Sequence, residues 1–121
     1  MKRDMEVVRK ILLACEALPF GKSLGSLEGV DKDTYITHVV WMQQAGLVDA
    51  NAQAGTGSFA KFAIVFGLTW EGCELADAMR DETLWEKAKA KFMRPGISFT
   101  LDIVKDWLKT EITQGLPTLR S

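Results

Sequence analysis

A mainly helical α+β fold carrying one small β-wing is predicted by three features of the sequence. Apolar residues recur every three or four positions in several stretches, one stretch alternates instead, and glycine or proline separates them. With 121 residues, 47% apolar and 26% charged, the chain suits one core rather than two and is not of disordered composition. Residues 1–80 are expected to form the domain and residues 81–121 a helical C-terminal extension packed on it, as a single globular unit.

The first helix begins at Asp4, a residue suited to N-capping, and carries Met5, Val8, Ile11, Leu12, Cys15 and Leu18 on one face until Pro19 ends it. Residues 20–30 hold Gly21, Gly25 and Gly29 and read as a loop with, at most, a short strand. Asp31 or Asp33 then caps a helix running to Ala45. Gly46 suits the left-handed closing position, and Leu47 supplies the apolar contact that commonly follows.

A strand over 47–50, a small-residue tip over 51–58 and a second strand through Phe62, Ile64, Phe66 and Leu68 make a hairpin, with those four expected to form its buried face. The tip around 54–58 is expected to be mobile. Thr69 caps the next helix, buried through Gly72, Leu75, Ala76 and Met79, and Asp81 restarts another with Leu84, Trp85, Ala88 and Phe92. Arg94-Pro95-Gly96 is a turn. A last helix from Ser98 or Thr100 carries Leu101, Val104, Leu108 and Ile112, with Ile103 and Trp107 beside them. Helix, loop or short strand, helix, hairpin and further helices is the order of a winged helix, a variant of the helix-turn-helix plan.

Two resemblances are carried by the residues. Thr37 to Val48, ending Ala45-Gly46-Leu47-Val48, resembles the recognition helix of metal-sensor-type winged-helix repressors. More of the chain resembles an uncharacterised bacterial and prophage family, the domain of unknown function numbered 2513. That likeness rests on Met1 to Met5, Arg9 to Leu12, His38, Ala45-Gly46-Leu47, Leu68-Thr69-Trp70-x-Gly72 and Arg80-Asp81-x-Thr83-x-Trp85. It implies a winged-helix-like fold and no established activity, cofactor or catalytic residue. Cys73 stands where the resemblance implies a histidine.

The formal net charge is −1 with no basic block, so nucleic-acid binding is not announced by composition. Neither a signal peptide nor a membrane span is recognisable, and Cys15 and Cys73 each stand alone in an apolar helical pattern, as small buried hydrophobes do. A reduced, cytoplasmic protein is expected.

Gly21-Lys22-Ser23 lacks the glycine of a phosphate-binding loop, because Glu16 occupies that position. Gly55-Thr56-Gly57 lacks the third glycine of a dinucleotide fingerprint. His38 is the sole histidine and nothing has zinc-ligand spacing, so a structural role is expected for it, with no metal and no cofactor. Glu71, Glu74, Asp77, Asp81, Glu82 and Glu86 interleave with Arg80, Lys87, Lys89 and Lys91 as on a solvated helix face. Catalysis is not expected.

Trp70, Trp85 and Trp107 are expected in the core. If Tyr35, Val39, Met42 and Ala45 face inward, Ile36, Val40 and Trp41 lie outward. Two readings follow. A DNA-binding transcriptional regulator would touch double-stranded DNA through Lys32, Thr34, Thr37, His38, Trp41 and Gln44, with Ser58 and Lys61 of the wing on phosphates. A protein-protein interaction module would instead use Ile36, Val40, Trp41, Ile103 and Trp107, and a homodimer through the helices is expected.

Overall fold

The computed structural model describes residues 2–54, 61–92 and 101–115. Among them are five helices, α1 (Met5–Glu16), α2 (Lys32–Gln44), α3 (Trp70–Met79), α4 (Glu82–Phe92) and α5 (Leu101–Gly115), and two antiparallel strands, β1 (Val48–Gln53) and β2 (Phe62–Leu68). The chain divides into two compact units, Met1–Ala76 and Asp77–Ser121, with the division inside α3. No helix among the described residues is long and apolar enough to cross a membrane. The wing-tip residues expected to be mobile lie mostly outside the described residues.

In the first unit, the Asp4 carboxylate accepts the Glu6 N–H at 2.9 Å and starts α1, which buries Met5, Val8, Ile11, Leu12 and Cys15 as the periodicity predicts. The cap of α2 is Asp31. Its carboxylate accepts the Thr34 hydroxyl at 2.7 Å and the Thr34 N–H at 3.1 Å, and these bonds hold it below the ordinary carboxylate range. At the other end Gly46 takes φ 76°, while its N–H reaches the Gln43 carbonyl and the Leu47 N–H that of Met42. This Schellman closure turns the chain directly into β1.

The hairpin pairs Gln53 with Phe62 through Ala50 with Val65, then skips one residue so that Asp49 meets Gly67 and Val48 meets Leu68. Phe66 is therefore the extra residue of a β-bulge. On the other edge of β2, Val65 exchanges both backbone hydrogen bonds with Leu24 at 2.9 Å each, and the Tyr35 hydroxyl donates to the same Leu24 carbonyl at 2.7 Å. The short strand expected in the loop is thus a single bridge.

The buried face of β2 is Ala63 and Val65, which corrects the expected one: Ile64 and Phe66 are exposed and Phe62 half-buried. Both faces of this strand are apolar, so alternation could not choose between them. The small side chains face inward, where the sheet meets α1 and α2.

Between β2 and α3, Thr69 donates its N–H to the Leu47 carbonyl at 3.1 Å and its hydroxyl to the Gly46 carbonyl at 2.5 Å, while that hydroxyl oxygen accepts the Gly72 N–H at 3.0 Å. Gly72 lies so close to the Leu47 carbonyl that a Cβ would overlap its oxygen. The Leu68-Thr69-Trp70-x-Gly72 signature is accordingly the lock between the hairpin and α3.

In the second unit, Asp81 caps α4 by accepting the Leu84 N–H at 2.8 Å. Trp85, Ala88, Val104 and Leu108 are buried, and Phe92 meets Trp107 edge to face with ring centroids 5.7 Å apart. The i,i+3 ion pairs Arg80–Asp77 and Lys89–Glu86 lie on exposed helix surface.

Candidate functional site

Four of the residues that the sequence offers for DNA reading, Thr34, Thr37, His38 and Lys61, have polar partners within the protein. Thr34 bonds its own helix cap, and the Thr37 hydroxyl donates to the Asp33 carbonyl at 2.8 Å. Lys61 lies 3.7 Å from the Asp33 carboxylate, with both side chains largely exposed. Lys32 and Gln44 are exposed. Ser58 lies outside the described residues.

His38 is withdrawn from that set by its burial, at 1% exposure. Its Nε2 accepts the Asp4 backbone N–H at 2.9 Å and its Nδ1 faces the Thr34 carbonyl at 2.8 Å, which assigns a neutral ring with the proton on Nδ1. With both nitrogens occupied, the ring has none to offer a base edge. Trp41 is half-buried because its indole packs against this imidazole, 5.1 Å between centroids.

The register expected for α2 is corrected at two positions, Ile36, expected outward, and Ala45, expected inward. Ile36 is 2% exposed and Ala45 is exposed, while Tyr35, Val39 and Met42 face inward as expected and Val40 is half-buried. Ile36 is buried because α2 packs against β2 as well as β1 and α1, so more than one side of it is covered. Between α2, β2 and the segment 25–30 lies a cleft of about 330 Å³. Leu27, Val30, Ile36 and Phe62 give it apolar walls, and Lys32 and Lys61 also line it.

In a second group of surface features, the exposure of Trp70, Phe66 and Cys73 was not expected from the sequence. Trp70, assigned to the core by its size, is 78% exposed, with its indole N–H donated to the Glu74 carboxylate at 2.7 Å. Phe66, four residues earlier, is 54% exposed on its bulge. A signal for Trp70 was present: a helix buried through Gly72, Leu75, Ala76 and Met79 points residue 70 away from that face. Cys73 is likewise exposed rather than buried, whereas Cys15 is buried as expected. On α5, Ile103 is 50% exposed and Trp107 half-buried.

Residues 2–98 match the family described as Hypothetical protein (DUF2513). An uncharacterized protein of Haemophilus influenzae is 32% identical over 121 residues, a match covering 96% of this chain and 99% of the relative. No solved structure matches the chain.

Proposed function

The chain belongs to the DUF2513 family, and we propose from that premise that it is a non-catalytic winged-helix protein acting in the bacterial cytoplasm through contact with another protein. The winged-helix reading is supported by α2 running through its Schellman turn into the β1–β2 hairpin, with Leu24 supplying the one-residue third strand. The protein-contact reading is carried by one observation: Phe66 and Trp70, flanking the Thr69 junction, are large aromatic side chains that the core does not use. Exposed aromatics held in place are the side chains that dominate interface energies.

The test pairs two measurements on the full chain. Binding to the products of neighbouring genes is compared with that of the F66A/W70A variant, and mobility shift is measured on the adjacent intergenic DNA. Loss of a protein contact in a variant that unfolds at the same denaturant concentration supports the proposal. Tight DNA binding that the variant retains overturns it.

A second reading, a DNA-binding regulator, has its own supporting observation. The Asp4 N–H to His38 bond fastens the segment carrying the exposed Lys2 and Arg3 to α2. Those cations would join Lys32 on the DNA-facing side.

A further inference from the structure

We infer that Trp70, with the Glu74 carboxylate on the edge of its ring, receives an arginine side chain of the partner protein. The inference deepens the protein-contact reading and rests on it for there being a partner at this face.

The site starts from helix spacing. Trp70 and Glu74 lie four residues apart on α3 and so share one side of it. The indole N–H donates to Glu74 Oε1 at 2.7 Å, which restrains the ring, and an exposure of 78% leaves an aromatic face in solvent.

Covering that face decides the chemistry of the ligand. A partner group laid on the indole also covers the carboxylate at its edge, and a carboxylate taken out of water must be given donors. An ionised carboxylate has about four acceptor sites, and the indole N–H occupies one of those on Glu74. An apolar side chain supplies no donor. A guanidinium lies flat on an indole face and carries several N–H groups on its edge, within reach of a carboxylate beside the ring. Lysine offers the charge without the plane.

The surrounding charge selects the same ligand and disfavours two others. β1, β2 and residues 70–76 carry Asp49, Glu71 and Glu74 and no lysine or arginine. Asp49 is exposed and pairs with Gly67, the residue after Phe66. These carboxylates attract a cationic segment and repel DNA phosphates, and a second copy would set them against each other in a two-fold contact. Chain length alone keeps Phe66 within about 14 Å of Trp70, so one short segment spans both.

The test titrates the full chain with the acetylated, amidated peptide Arg-Leu-Arg-Leu-Arg and, separately, with its lysine and glutamate counterparts. The Trp70 indole N–H, assigned through W70F, is followed by NMR. Expected are a saturable shift with the arginine probe, weaker binding of the lysine probe and no shift with glutamate. E74Q, with an unchanged urea midpoint, is expected to bind the arginine probe about fivefold more weakly, the upper range for an exposed ion pair. W70A, followed through backbone amides, is expected to lose a similar factor, that of an exposed cation–π contact. An arginine probe that shifts the Trp70 signal no more than the glutamate probe does, or wild-type binding by W70A, overturns the arginine assignment. A contact with a neighbouring gene product that F66A/W70A loses would still stand in that event, so the failure would belong to the ligand and not to the contact reading. Displacement of the probe by double-stranded DNA, or a dimer in light scattering that W70A abolishes, overturns the inference by giving the face another occupant.

Discussion

The His38 ring joins α2 to the start of α1, because its Nε2 accepts the Asp4 backbone N–H at 2.9 Å beside the residue that caps that helix. Replacing His38 by Phe keeps an aromatic ring of similar shape but leaves a part-buried N–H without its acceptor. H38F is expected to lose about 1–3 kcal/mol, the cost of an unsatisfied buried donor. Urea unfolding with unchanged m-value measures this, and wild-type stability would mean that packing alone holds the two helices.

Two glycines make opposite predictions. At Gly72 an added methyl meets the Leu47 carbonyl oxygen, a backbone atom held in turn by the Thr69 N–H. Gly72→Ala is therefore expected to destabilise by about 3 kcal/mol, the upper end for overpacking, despite the better helix propensity of alanine. At Gly67 a Cβ meets nothing within 4 Å, so Gly67→Ala should change stability by less than about 0.5 kcal/mol. Thermal unfolding of the pair distinguishes a steric effect from a general loss of glycine flexibility.

Burial pushes the Cys15 thiol up from 9.0 to about 11. The Tyr35 phenol rises from 10.0 to about 12, by burial and then by the neighbouring Cys15. Both groups keep their protons in the folded chain at a pH where the unfolded chain releases them. Their contribution is complete below the unfolded values and lost as pH rises through the folded ones. The urea midpoint should accordingly fall between about pH 9 and pH 12, and C15A should start that fall at higher pH. A flat midpoint across this window contradicts the assignment.

Thiol alkylation separates the two cysteines. Cys73 is exposed and Cys15 buried, so iodoacetamide at about pH 8 should modify Cys73 in the folded protein and Cys15 only after urea is added. Mass spectrometry of the alkylated peptides gives the order, and equal rates would contradict the burial of Cys15.

Any DNA binding should weaken only shallowly with salt, since the slope counts phosphates neutralised and Lys61 already faces Asp33. A steep slope in a fluorescence anisotropy titration would favour the regulator reading.

The helix ends were legible in the sequence because capping is local: Asp4, Asp31, Thr69 and Asp81 each bond a backbone N–H two or three residues ahead. Gly46 was legible for the same reason, its closing turn being made from neighbouring residues. What periodicity could not give was the side of an element that tertiary packing covers. Ile36 looked outward when only one face of α2 was assumed buried, and β2 was apolar on both faces. Residue size misled at Trp70, whose position on the helix was the better guide. Leu24 meets Val65 across forty-one residues, a pairing that no local pattern in either segment specifies.

The bulge in β2 makes tolerance of deletion depend on position. Omitting Phe66 would bring Gly67 next to Val65 and give a regular ladder from Val48 to Gln53, with Val48 and Asp49 still opposite their present partners. Omitting Ile64 would instead reverse the side on which Ala63 and Phe62 project. A one-residue gap at 66 among related chains would thus be structurally silent, removing an exposed aromatic while sparing the hairpin, whereas a gap two positions earlier would turn the strand inside out.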